Sequence, residues 1–178
     1  MQRTYNVDLH KAARFSRQDG ASLLEGIAYL GIAAIVVLGA VSLLTGAFGS
    51  ARANQTSEEI VAMRTAVRKL YSGQPYGNAA LTANLIAANA IPNTLTRNGN
   101  VVTNSWGGAV TATGTGTQFT ITYNAVPRDV CVAVISGASG WVRIQAGGPA
   151  VDVFPATVQA ATGTCTNANA NNITFTST

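Results

Sequence analysis

The chain has 178 residues, enough for one domain with a modest core and an added extended element. Only 10% of its residues are charged, against about a quarter in an ordinary domain, and 47% are apolar, so the surface is polar but weakly charged. The net charge of +4 is split: Arg3, Lys11, Arg14 and Arg17 against Asp8 and Asp19 give +2, and seven bases against five acids give +2 over the rest. No Lys/Arg cluster exists, which argues against direct nucleic-acid binding.

Residues 1–20 are polar and mixed in charge, and read as a leader. From Gly26 to Ala51 no residue is charged. That is a stretch of roughly 39 Å as a helix, long enough to cross a bilayer with some tilt. One acid, Glu25, stands at its mouth. Gly31, Gly39, Gly46 and Gly49 interrupt it, and it holds no proline. Glycine is tolerated in membrane helices and allows close helix contacts. Two simpler readings compete. Ala51-Arg52-Ala53 resembles a small-x-small secretory cleavage site, but the apolar run exceeds the usual 7–15 residues and the polar leader is long. An uncleaved membrane anchor is the other.

After Arg52 the apolar positions thin to a stripe: Ile60, Met63, Val67 and Leu70/Tyr71, at helical spacing. No proline or strong turn lies between Ser50 and Ser72, so the sequence predicts one helix from about Ala21 to about Tyr71. Ser72-Gly73-Gln74-Pro75 ends it. The first half of such a helix is apolar all round, and nothing else in the chain is large enough to bury it. Its surroundings must be lipid or other copies of itself.

The remainder reads as α+β. Asn78–Ala90 is a short helix candidate closed by Ile91-Pro92, followed by a polar loop ending in "NSWGGAV". "AVTAT" (109–113) and "QFTITY" (118–123) alternate around a Gly-Thr-Gly turn and predict a hairpin. "RDVCVAVISG" (128–137) suits strand or helix equally. "WVRIQAGG" (141–148) and "NITFTS" (172–177) read as strands, and "TNANANN" (166–172) as a polar loop. Cys131 and Cys165 are the only cysteines. An even count beside a membrane-targeting segment favours a disulfide in an oxidising compartment, the alternative being two buried free thiols.

Catalytic chemistry finds little support. The only histidine, His10, lies in the leader, which leaves no Ser-His or Cys-His pair and no histidine metal site beyond it. Past the long helix the carboxylates are Asp129 and Asp152, without metal-like spacing. "TGTGT" and "AGG" lack the Gly-Lys-Ser/Thr of a phosphate loop. "SWGG" reads as turn chemistry. No cofactor, metal or enzymatic activity is expected. Tyr76, Trp106 and Trp141 are read as core or subunit contacts before receptor contacts.

"GASLLEGIAYLGIAAIVVLGAVS" resembles the N-terminal signature of type IV pilins: a polar leader ending in glycine, then a glutamate five residues into the mature chain, inside a long apolar helix. The leader length, "NSWGG", "WVRIQAGG" and a late cysteine before a terminal "ITF" strand resemble the type IVb subclass, which includes toxin-coregulated, bundle-forming and conjugative thin-pilus pilins. Two features depart from the family pattern. Ala21 is smaller than the usual first mature residue, and without a helix proline any kink would use Gly31 or Gly39.

The resemblance implies a pilin fold: a long helix packed through its C-terminal half on an antiparallel sheet. It implies a leader over 1–20, a transmembrane and filament-core segment over 21–51, an amphipathic segment over 52–72 and a head over 73–178 with a disulfide region at 131–165. A prepilin peptidase would cut between Gly20 and Ala21 and methylate the Ala21 amine. A platform protein and an assembly ATPase would then move the subunit from the inner membrane into a surface filament of identical copies. Leu24, Ile27, Leu30, Gly31, Ala34, Val37 and Gly39 would pack that filament's core, and Glu25 would set the register of incoming subunits. The implied role is that of a major pilin serving adhesion or conjugative mating contact. A minor pilin, a secretion pseudopilin or a membrane-anchored binding module are the alternatives.

Overall fold

The computed structural model describes residues 23–178, so the leader, His10, Gly20 and Ala21 lie outside the described residues. In chain order the elements are α1 (Leu23–Leu70), α2 (Thr82–Ala87), β1 (Thr96–Asn98), β2 (Val101–Thr103), β3 (Val110–Thr115), β4 (Gln118–Val126), α3 (Arg128–Ser136), β5 (Arg143–Gln145), α4 (Val158–Thr164) and β6 (Asn171–Ser177). The chain divides into two units, one ending at Ser42 and one from Leu43 to Thr178. The described part of the first unit is helix alone, continuous in α1 with the helix that opens the second.

The second unit is built on a four-stranded antiparallel sheet in the order β3-β4-β6-β5. Strand alternation sorts its faces. One face carries the row Ala112, Ile121, Phe175 and Ile144, and the row Val110, Tyr123 and Ile173 beside it, all buried. The other face carries Thr113, Thr120, Thr176 and Arg143, then Thr111, Thr122, Thr174 and Gln145. Threonine suits that face: it is β-branched like valine but keeps a hydroxyl for water or a neighbour, as in the Thr122–Thr174 hydroxyl pair at 3.2 Å.

From α1 the second unit buries Ala53, Thr56, Glu59, Ile60, Met63 and Val67, a run at helical spacing. Burying a side chain such as Ile60 or Met63 is worth about 1.5–3 kcal/mol each. The expected stripe of Ile60, Met63 and Val67 is present, but it stops there. Leu70 is 39% exposed, because the helix ends at that residue and leaves the sheet. Tyr71 carries the contact onward through its ring, 5.8 Å from Tyr76, which in turn lies 4.8 Å from Phe119. Gly73, at φ +78°, supplies the left-handed backbone that turns the chain after the helix.

Three local expectations are sharpened or corrected, and one segment left unassigned gains a helix. The helix expected over Asn78–Ala90 shrinks to the six residues of α2, because the chain before it is held by bridges from Gly77 to Gly116 and from Ala80 to Thr113. There Gly114 is required: a Cβ on it would overlap the Tyr76 carbonyl. The polar loop before Asn104 holds the β1–β2 hairpin. The ambiguous 128–137 segment is helix α3, with Val130, Cys131, Val134 and Ile135 buried. The segment before the late cysteine forms α4, capped by the Thr157 hydroxyl, which accepts from Ala160 N–H at 3.2 Å. The hairpin over 109–123 is present, with its turn at Gly116-Thr117 between the paired Thr115 and Gln118.

Candidate assembly interface

Among the described residues, the first half of α1 is exposed along its length. Every residue from Leu23 to Phe48 is exposed. Leu24, Ile27, Leu30 and Val37 are among the exposed large apolar residues. Ala34 is exposed as well. A Cβ added at Gly31 or Gly39 would meet nothing within 4 Å. Leu23, Tyr29, Ile32, Ile35, Val36 and Leu38 are also exposed, so apolar groups stand on every side of the helix rather than along one seam. The helix is long and apolar enough to cross a membrane. Glu25 lies in its first turn, where a carboxylate complements the positive end of the helix dipole.

The second unit is held together by polar fastenings that the sequence reading did not identify. Arg64 of α1 lies 4.7 Å from the Trp141 ring centroid and donates through Nη1 to the carbonyls of Ser139 and Gly140, at 3.1 and 2.8 Å. Burial, and then the neighbouring Arg68, lower the Arg64 pKa from its ordinary value. Arg68 in turn donates to the Thr178 carbonyl at 2.8 Å and the Ser177 hydroxyl at 3.1 Å. These four-residue-spaced arginines tie one helix face to the α3–β5 connection and to the end of β6. Trp141 itself is buried against Phe175, ring centroids 5.1 Å apart, while Tyr76 and Trp106 are half-buried against the core.

Asn104 fixes the "NSWGG" turn. Its Oδ1 accepts from the N–H groups of Trp106 and Gly108, and its Nδ2 donates to the Asn124 carbonyl at 2.7 Å. A Cβ on Gly108 would overlap that same carbonyl. Asn171 does comparable work in the polar loop: Nδ2 donates to Val126 and Asn167 carbonyls, and Oδ1 accepts from Asn167 N–H. Glu59 is the unexpected member of the buried stripe, 3% exposed and accepting from Gln55 Nε2 at 2.9 Å. An acid three residues after Thr56 and four before Met63 is visible in the sequence as a break in the apolar stripe. Tyr123, on the buried face of the sheet, is fully buried with a hydroxyl that has no hydrogen-bond partner among the described residues. Burial, and then the charge of Glu59, push the Tyr123 hydroxyl pKa upward.

Cys131 of α3 and Cys165 at the end of α4 form a disulfide with their Cα atoms 6.1 Å apart. Thr164, beside it, accepts from Ala146 N–H through its hydroxyl and from Gly148 N–H through its carbonyl. The end of α4 is thereby bound covalently to α3 and by hydrogen bonds to the segment that follows β5.

A long apolar N-terminal helix, an antiparallel sheet packed on its later turns and a disulfide-closed C-terminal region define a type IV pilin subunit, a structural protein rather than an enzyme by family and fold. The family model described as PilS N terminal matches residues 50–178, and the chain belongs to that family of type IVb pilins. A crystal structure of a type IV b pilin from Salmonella typhi is similar, with a TM-score of 0.54 at 26% identity, covering 67% of this chain and 94% of that one. Comparison with curated proteins returns no match.

Proposed function

We propose that this chain is the major subunit of a type IVb pilus. Residues 1–20 are its leader, 21–51 its membrane and filament-core segment, 52–72 the amphipathic half of the helix, and 73–178 its head. A prepilin peptidase cuts between Gly20 and Ala21 and methylates the new amine. A platform protein and an assembly ATPase then draw subunits from the inner membrane into a helical homopolymer on the cell surface. The filament serves adhesion or conjugative mating contact.

The observation that carries this reading is the uncovered first half of α1, whose apolar residues stand on all sides. Lipid satisfies such a surface before assembly, and identical helices satisfy it afterwards. Leu24, Ile27, Leu30 and Val37 supply packing surface, while Gly31, Ala34 and Gly39 let neighbouring backbones approach. Glu25 is costly in that setting unless paired. The amine that cleavage creates at Ala21, in the same or an adjacent subunit, is the cation that neutralises it, and that pairing sets axial register. The covalently closed, full-sized head supports a major rather than a tip subunit.

The test is N-terminal mass spectrometry of filaments sheared from cells. Filaments composed mainly of this chain, starting at Ala21, are the expected result. A start at Met1 or Asn54 overturns the cleavage reading, and trace abundance overturns the major-subunit reading.

A further inference from the structure

We propose that a recess beside Trp141 receives Val153 of a neighbouring copy of this chain, with Asp152 of that copy bridging to Arg64. The inference deepens the filament-subunit reading and rests on it. The recess has a volume of about 180 Å³ and is lined chiefly by Ile60, Val61, Arg64, Val134, Trp141 and Phe175. Its aromatic and aliphatic walls suit one branched side chain. Arg64 adds a positive charge at the same place. Its guanidinium lies over the Trp141 ring, but among the described residues only its Nη1 is hydrogen-bonded and it forms no salt bridge. A guanidinium has five N–H donors, so several remain for a carboxylate.

The chain carries the complementary group on a different surface. Val153 is 79% exposed, the most exposed large apolar residue outside α1, and it directly follows an acid. Asp152 is half exposed and takes Arg143 at both oxygens, Nε at 2.8 Å and Nη2 at 3.2 Å. A carboxylate has about four lone-pair sites, so Asp152 can keep Arg143 and accept from a second arginine. An apolar residue beside an acid thus matches an apolar recess beside an arginine.

The geometry selects a copy of the chain rather than a foreign partner. Knob and recess lie on different faces of the same subunit: Asp152 pairs with Arg143 on the threonine face of the sheet, whereas Phe175 in the recess belongs to the buried face. A contact of that kind is head-to-tail, leaves a free knob and a free recess after every addition, and, where its rotation does not close a ring, propagates as an open helix. It gives a filament a head-level contact separate from the packing of its apolar helices.

The experiment places a photoreactive benzoylphenylalanine at position 153 of the full chain, co-expressed with the unsubstituted chain so that filaments form. After irradiation, sheared filaments should contain crosslinks between chains from position 153 to the tryptic peptides 53–64 or 129–143. Crosslinks solely to other segments, or none in intact filaments, overturn the contact while leaving the filament reading standing. Absence of filaments from the unsubstituted chain overturns the filament reading instead. In parallel, Val153→Glu and Asp152→Arg should each lower sheared filament yield at least tenfold at unchanged subunit level. Arg64→Glu added to Asp152→Arg should recover most of that loss. Wild-type yield from both Val153→Glu and Asp152→Arg overturns the proposal, as does normal filament yield with loss of cell attachment alone, which would assign Val153 to a foreign partner.

Discussion

Cys131, in the first half of α3, is covalently joined to Cys165, the residue that closes α4, and both are fully buried. Between them lie β5 and most of the region that covers the sheet's outer edge. The covalent link restricts the unfolded chain over a separation of 34 residues. The chain-entropy account assigns about 3–4 kcal/mol to a loop of that size, a large share of the stability of a small domain. Cys131→Ser and Cys165→Ser should each lower the thermal midpoint of the detergent-solubilised subunit, and reductant should do the same to the unsubstituted chain. A midpoint unchanged in all three cases would show the bridge to be dispensable.

The turn at Asn104 predicts a second loss. Its side chain satisfies two N–H groups and one carbonyl, and it is buried. Asn104→Ala strands all three, at about 1–3 kcal/mol for each group that water does not reach. A destabilisation of about 3 kcal/mol is expected from urea unfolding. Gly108→Ala should cost about as much or more, through overlap with the Asn124 carbonyl rather than through a lost bond. An alanine tolerated at either position would mean that the turn can open without cost.

Tyr123 predicts a change in the opposite direction. Its hydroxyl is buried without a partner among the described residues, so Tyr123→Phe should leave stability at neutral pH unchanged or raise it by up to about 1 kcal/mol. The pH dependence follows from its raised pKa. An unfolded tyrosine loses its proton near pH 10.0, whereas Tyr123 in the folded state keeps it. Above that pH the folded state binds more protons than the unfolded one, and stability falls by up to about 1.4 kcal/mol per pH unit. Below it the residue contributes no slope. Urea unfolding at about pH 7 and about pH 11 should show this alkaline loss in the unsubstituted chain and a smaller one in Tyr123→Phe. An identical loss in both would assign it to other groups.

Glu25→Val and Glu25→Ala should separate processing from assembly. If the carboxylate pairs with the Ala21 amine, both variants are cut after Gly20 yet accumulate in the membrane, with filament yield down at least tenfold. Their mature termini are read by mass spectrometry and their filaments by shearing. Normal filaments from both would remove Glu25 from the assembly step.

Much of this architecture is legible in the residues because few forces compete there. The apolar run, the 60–63–67 spacing and the Gly-x-Pro stop specify a long helix and place its end, Leu70, to within a residue. The alternation in 118–123 specifies β4. The failures have local causes. Thr96, Arg97 and Asn98 are all exposed, so β1 shows no alternation, and only Asn98-Gly99 marked its hairpin. Segment 128–137 is valine-rich, which favours a strand, but burial at 130, 131, 134 and 135 follows a helical period that apolar Val132 obscures. Helix α4 has seven residues and a glycine within them, too little pattern to see. Arg64 and Arg68 act through partners distant in sequence, and nothing in their immediate neighbourhood announces those partners. The cysteine pair was visible, but the elements that it joins were not.

The strand order also imposes a timetable. β6 lies between β4 and β5, yet it is the last element of the ten to be synthesised. Until Asn171–Ser177 arrives, one edge of β4 stands open along "QFTITY", an uncharged, β-prone segment of the kind that pairs with other chains. Both cysteines are made before that strand, so oxidation can precede closure of the sheet. Wherever copies of the subunit are crowded together, it therefore passes through a sticky adolescence, and how quickly Asn171–Ser177 finds its slot governs how many copies escape aggregation.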